Sequence, residues 1–277
     1  MNLGDALNEL QAQGIERLDA QMLLLMAMGR DPHARAWLLA HDDLPLSDVH
    51  RARLRALATR RRAGEPMAYL RGEQAFFGLN LGVDERVLVP RPDTETLVSW
   101  ALALLPSLPA APRVIDLGTG SGAIALALRH AAPGADVTAT DASDDALAVA
   151  RANAERLGLP LRLRQGNWLQ AVPGERFDLI VSNPPYIAEG DPHLARLTHE
   201  PASALTAGAD GLDDLRTIIG QAGPALRPGG WLLLEHGFDQ APAVCDLLQR
   251  HGFEAVTSRH DVAGIARCSG GRWPAAR

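Results

Sequence analysis

The chain has 277 residues, 47% hydrophobic and 22% charged, which suits one large globular domain with an appendage, or two domains, and gives enough apolar surface for a sizeable core. It contains no apolar run of about 18 residues, and its start, MNLGDALNELQAQG, lacks a basic segment and an apolar core, so neither a membrane span nor a secretory signal is expected and a cytoplasmic location is. All 27 basic residues are Arg, which excludes a lysine base or nucleophile; the net charge of −6 splits into 10 Arg against 9 acids over residues 1–72 and 17 against 24 beyond, a poor basis for gripping nucleic acid.

Residues 1–72 carry apolar positions at helical spacing in short segments, as in LDAQMLLLMAMG, with stops at Gly14, Gly29 and the GEP of 64–66, and predict a helical bundle. Ser47 reads as the N-cap of a longer helix, LSDVHRARLRALATRRR, which places Arg51, Arg55 and Arg62 near one face. That face is either a solvated helix surface or a dock for an acidic partner. Residues 73–90, with aromatic and branched residues alternating around Gly78 and Gly82, predict a β-hairpin linker.

From residue 91 to 277 strand and helix signals alternate: RVIDLG, SGAIALALRHA, ADVTATD, DDALAVARANAERLG, LRLRQG, FDLIVS, GLDDLRTIIGQAGPAL, GGWLLLEHG, APAVCDLLQRHG and a weak strand pair from Phe253 to Arg272. Such alternation predicts an α/β domain with an open, mostly parallel sheet covered by helices on both faces, and a ligand beyond the carboxyl ends of its strands. Cys245 and Cys268 lack metal-ligand spacing and read as reduced structural residues.

The first strand runs into Asp116, Gly118, Thr119, Gly120, Ser121 and Gly122 and then into a helix; the second ends in Asp141, placed to accept both hydroxyls of a ribose. The glycine spacing is not that of a dinucleotide fingerprint, and an acid at the turn suits a cation better than a pyrophosphate. The pattern resembles the cofactor loop of class I methyltransferases, whose S-adenosylmethionine carries a sulfonium and an ammonium group. Asp116 is equally suited to satisfying the free N–H groups of the following helix. Asn167 and Trp168 follow the third strand, the indole placed to stack on adenine or to serve as an ordinary loop residue, and Asn167 stands where similar methyltransferases commonly carry an acid.

The buried strand FDLIVS stops at Asn183, Pro184, Pro185 and Tyr186, where two prolines without N–H donors make a stiff corner between an amide and an aromatic ring. Motifs similar to this NPPY occur in methyltransferases of planar amides and exocyclic amines. The Asn183 side-chain oxygen and the Pro184 carbonyl can each accept one N–H of such a group, with Tyr186 packed on its flat face and Pro185 stiffening the corner. Direct displacement without an essential general base is expected, because an N-protonated amide is a strong acid, and His236 reads as structural.

VLVPRPDTE (87–95), HEPASALTAGADGLDDLR (199–216) and LLLEHGFDQ (232–240), together with NPPY and the N-terminal helices, closely resemble the HemK/PrmC family, the N5-glutamine methyltransferases of peptide chain release factors, over nearly the whole chain. The resemblance implies a class I S-adenosylmethionine-dependent methyltransferase with a Rossmann-like, mostly parallel seven-stranded sheet. It also implies the Gly-Gly-Gln glutamine of class 1 release factors as substrate. Cofactor contacts would fall at Gly118 to Gly122, Asp141, Trp168 and Asn183, and substrate contacts at Asn183 to Tyr186. A similar family acting on a glutamine of a large-subunit ribosomal protein, and a nucleic-acid amine methyltransferase, are the alternatives; PRPDTE (90–95) favours the release-factor enzymes, although Pro92 and Asp93 also suit the start and cap of a helix.

Overall fold

Helical spacing of apolar residues in the first 72 positions produces α1 (Leu3–Ala12), α2 (Arg17–Ala27), α3 (Arg35–Leu39), α4 (Asp48–Arg62) and α5 (Met67–Arg71). This is seen in a computed structural model that describes residues 1–275 and divides into one unit at Met1–Gly72 and a second from Glu73 onward. The Ser47 hydroxyl accepts the His50 N–H at 3.2 Å and caps α4, satisfying a donor that the first helical turn leaves free. Leu3, Leu24, Leu25 and Leu54 meet in the core of this unit, and Arg61 ties α4 to α2 through Asp19 at 2.7 Å.

The second unit begins with an antiparallel hairpin, β1 (Glu73–Phe76) and β2 (Leu79–Gly82), closed by Phe77 and Gly78 with φ of 47° and 78°, the pair of positive values that a twisted two-residue turn requires. The ladder is shorter than the alternation over 73–90 suggests. Asp84 ends it: its carboxylate accepts the Arg86 N–H and its carbonyl accepts the Val87 N–H, which turns residues 84–87 out of the pairing.

Next come α6 (Glu95–Leu104), β3 (Arg113–Leu117), α7 (Ala123–Ala131), β4 (Asp136–Asp141), α8 (Asp144–Leu157), β5 (Arg162–Gln165), β6 (Phe177–Ser182), α9 (Asp213–Ala225), β7 (Leu226–Glu235), α10 (Ala241–Arg250), β8 (Glu254–His260) and β9 (Ala266–Arg272). The strands form a seven-stranded sheet of order β5-β4-β3-β6-β7-β9-β8, parallel except for β9, which runs antiparallel to both β7 and β8. Alternate residues of the central strands enter opposite cores. Val114, Leu179 and Val181 pack with α6 and α7, while Ile115, Leu117 and Ile180 pack with α9 and α10. Strand order reverses between β3 and β6, so their carboxyl ends open a crevice between them. Among the described residues no helix is long and apolar enough to cross a membrane.

Candidate active site

The glycine loop leaves β3 with Gly118, Gly120 and Gly122 at φ of 70°, 55° and 84°, a region that other residues enter only with strain. A Cβ on Gly118 would stand 3.0 Å from the Trp168 ring, whereas one on Gly120 would meet nothing within 4 Å. The loop is therefore pressed on the indole at one point and open at the other. Asp116 lies beneath it, fully buried; its Oδ2 accepts the Thr119 hydroxyl at 2.7 Å and the Ala125 N–H at 3.2 Å. Burial pushes this carboxyl up to about 7, against the pull of those two donors.

Asp141 closes β4 and holds the loop from the side. Oδ2 accepts the Gly120 N–H and Oδ1 the Ser143 N–H, both at 2.9 Å, and burial raises its pKa despite these bonds. Asn153 on α8, only 2% exposed, adds a second anchor: it accepts the Gly82 N–H at 2.7 Å and donates to the carbonyls of Gly82 at 3.0 Å and Ser121 at 2.9 Å. One buried amide thereby fastens the hairpin end to the glycine loop.

Trp168 has φ of 51°, costly for so large a side chain, and its ring stands against the loop at Gly118, with Asp214 at the start of α9 lining the same cavity. Across the crevice, the Ser182 hydroxyl donates to the Leu117 carbonyl at 2.7 Å and joins the ends of β6 and β3. The NPPY corner follows. Asn183 Nδ2 donates to the Thr94 hydroxyl at 3.2 Å, the Tyr186 hydroxyl donates to Glu235 at 3.4 Å, and the Gln240 side chain donates to the Tyr186 carbonyl at 3.0 Å. Burial raises the pKa of Tyr186, so the hydroxyl keeps its proton.

These elements enclose a cavity of about 320 Å³. Of the residues singled out in the sequence, Gly118, Gly120, Asp141, Asn167, Trp168, Asn183 and Pro185 form its wall. Asp116, Thr119, Ser121 and Gly122, and of the corner Pro184 and Tyr186, are not part of that wall. The Asp116 carboxyl secures the turn through Thr119 and bonds the Ala125 N–H in the first turn of α7, and it does not line the cavity.

The PRPDTE run does more than start a helix. Arg91 pairs with Glu200 at 2.5 Å, Asp93 with Arg267 at 3.3 Å, Thr94 with Asn183, and Glu95 accepts the Phe77 N–H at 2.9 Å. No side chain caps α6. Glu200, 6% exposed, also accepts the Val89 N–H at 2.9 Å, so one carboxylate clasps the segment whose neighbours Val87 and Leu88 line the cavity opposite Pro201, Ser203 and Ala204. His236 has both ring nitrogens engaged, Nε2 with Ser269 at 2.8 Å and Nδ1 with the Gly237 carbonyl at 2.9 Å, and plays the structural part expected of it. Thr94, Glu200, Asp214 and Glu235 were not singled out from the sequence. All four lie inside quoted stretches, but nothing local to those stretches marks them as parts of the site.

Residues 3–72 match the PrmC N-terminal domain family and residues 99–212 the methyltransferase small domain family. A release factor glutamine methyltransferase of Bordetella pertussis is 54% identical over 93% of this chain and 95% of its own. One of Xylella fastidiosa is 50% identical over 94% of each. Among solved structures, a methyltransferase from Pyrococcus furiosus superposes with a TM-score of 0.56 at 22% identity, over 79% of this chain and all of that one, a likeness of fold.

Proposed function

Because the chain belongs to the release factor glutamine methyltransferase family, we propose that it transfers a methyl group from S-adenosylmethionine to the side-chain amide nitrogen of the glutamine in the Gly-Gly-Gln motif of class 1 peptide chain release factors. The observation that carries the reading is the sharing of one cavity by two kinds of group: the glycine loop with Asp141 and Trp168, and Asn183 with Pro185.

The residues fit the cofactor. Each Asp141 oxygen accepts one backbone N–H and keeps a lone pair, enough for one ribose hydroxyl apiece. The Trp168 ring, set against Gly118, offers a flat apolar face to adenine, and Gly120 leaves room for close approach. When bound, S-adenosylmethionine supplies a methyl group on a positively charged sulfur. Asn183 Oδ1 and the Pro184 carbonyl accept the two N–H groups of the substrate amide and orient its nitrogen toward that methyl. As the nitrogen–carbon bond forms, the nitrogen loses conjugation with its carbonyl and gains positive charge, which both acceptors stabilise. The surplus proton leaves to water. No side chain is assigned the part of a base.

Mass spectrometry tests the assignment. After incubation with labelled cofactor, a release factor should gain one methyl on the Gly-Gly-Gln glutamine; label on a ribosomal protein or on DNA instead would replace this reading with one of its rivals. The helical unit offers a docking face: Arg51, paired with Asp48 on its own helix, lines a groove of about 270 Å³ between α1 and α4 with Arg55 and Arg62, while Arg60 and Arg61 are bonded to Glu65 and Asp19. Reversing Arg51, Arg55 and Arg62 to Glu should raise KM for the intact factor several-fold at low salt and leave a short Gly-Gly-Gln peptide unaffected. An unchanged KM in the folded triple variant removes this groove from the docking surface.

A further inference from the structure

Pro184 and Pro185 have no N–H to donate, so through them the backbone of the NPPY corner can be held only by donors brought to its carbonyls. The Pro184 carbonyl is the one that receives the substrate amide in the reading above. Two residues on, the Tyr186 carbonyl is supplied with a donor from outside the corner: Gln240 Nε2 reaches it at 3.0 Å from the start of α10.

The bonds of Gln240 fix which way its amide faces. Oε1 accepts the Gly237 N–H at 2.8 Å, and a backbone N–H can bond only to an acceptor, so the oxygen lies on that side. Nε2 then faces three carbonyls, that of Tyr186 and, at 3.4 Å, those of Asp210 and Gly211. Gly211 closes on the same point with φ of 72°; a Cβ there would collide with the Tyr186 carbonyl oxygen and stand 2.9 Å from Gln240 Nε2. The approach is too close for any residue but glycine. One amide thus fastens the turn after β7, the end of the corner and the turn before α9, three segments far apart in the chain.

Tyr186 is held at two points, its hydroxyl by Glu235 and its carbonyl by Gln240. Between that carbonyl and the one of Pro184, φ of Pro185 is locked by its ring, and Pro184, itself before a proline, is confined to extended conformations. Little rotation remains, so fixing the Tyr186 carbonyl fixes the direction of the Pro184 carbonyl as well.

We propose that Gln240 is a positioning residue for methyl transfer, which anchors the Tyr186 carbonyl and thereby aims the Pro184 carbonyl at the substrate amide. The proposal rests on the reading above, in which Pro184 accepts from that amide. Its consequences fall on kcat, because a misdirected acceptor leaves cofactor binding intact and fails the nitrogen where positive charge develops, in the transition state.

The test uses the whole enzyme, labelled S-adenosylmethionine and an intact release factor. Wild-type methylation of the Gly-Gly-Gln glutamine comes first; its failure would remove the functional reading itself and would be visible before any variant is made. Two variants then separate the two bonds of the amide. Gln240→Met keeps the length of the side chain and removes both bonds, whereas Gln240→Glu keeps an acceptor for the Gly237 N–H and sets an oxygen against the three carbonyls in place of the donor. Each should lower kcat about 10-fold or more, with KM for the factor, cofactor affinity by calorimetry and melting temperature near wild type. Wild-type kcat in Gln240→Glu would show that only the bond to Gly237 matters and would overturn the proposal, as would equal losses of kcat and cofactor affinity in either variant. Should Gln240→Met fail to fold, Gln240→Glu, the same size as wild type, still decides.

Discussion

Two fully buried carboxyls, Asp116 and Glu235, belong to the two halves of the proposed active site, and burial holds both up to about 7. They are built differently. Asp116 bonds to residues three and nine positions along the chain, Thr119 and Ala125, so the cofactor half is a local object: a strand end, a glycine turn and a helix start written in one continuous run. Glu235 serves Tyr186, 49 positions away, and adjoins Thr94, more distant still, so the substrate half exists only once the sheet has assembled. The first half can be specified by a motif. The second depends on the whole fold.

The sharpest cut between the halves is Asn183→Ala, expected to lower kcat about 10²- to 10³-fold while cofactor affinity changes little. Single-turnover rates beside calorimetric titration with S-adenosylmethionine measure both, and equal losses would move Asn183 to the cofactor half. Asn153→Leu should strike the opposite side. It strips the buried Gly82 and Ser121 groups of their partner and should destabilise the protein by about 3 kcal/mol, with weaker cofactor binding, as denaturant unfolding and titration will register. Asp141→Ala should weaken cofactor binding roughly 10- to 100-fold with a smaller change in the rate at saturation, through two lost bonds from ribose to a charged acceptor; unchanged affinity would take Asp141 out of the site.

The smallest effect concerns both carboxyls at once. A folded-state pKa near 7, above the ordinary carboxylate value, means that between about pH 4 and pH 7 the folded protein keeps protons that the unfolded chain has released. Stability contributed by these groups is therefore greatest at the acid end of that window, falls by up to about 1.4 kcal/mol per pH unit for each group, and levels off above pH 7. Asp116→Asn and Glu235→Gln should each flatten the slope of unfolding free energy against pH between 5 and 7. If only one does, the halves differ in their buried charge as well as in their construction.

That contrast also explains what could be read from the chain alone. The alternation of strand and helix, the glycine turn, Asp141 at the end of β4 and the NPPY stop after β6 are set by neighbours within a few residues, and each was legible there. Ser47 as a cap belongs to the same class, since its partner is three residues away. Thr94, Asp214, Glu200 and Glu235 were not, because what defines them is a partner brought close by strand order. The hairpin ended early for a reason of intermediate range: Asp84 satisfies its own turn and outcompetes the alternation that would have continued the ladder. Asp116 showed the limit of a motif. The residue stands out in the sequence, but only burial decides whether a carboxylate faces a ligand or a helix end.

The order in which the sheet is filled has a consequence for how the enzyme is made. β9 comes last in the chain yet lies between β7 and β8, pairing with both. Until residues 266–272 have left the ribosome, β7 has an open edge, β8 has no neighbour in the sheet, and Arg267 cannot reach Asp93 beside the NPPY corner. The proposed cofactor half can form on a growing chain, whereas the proposed substrate half waits for residues 266–272. The segment that completes the sheet is thus also the one on which the Arg267–Asp93 pair depends.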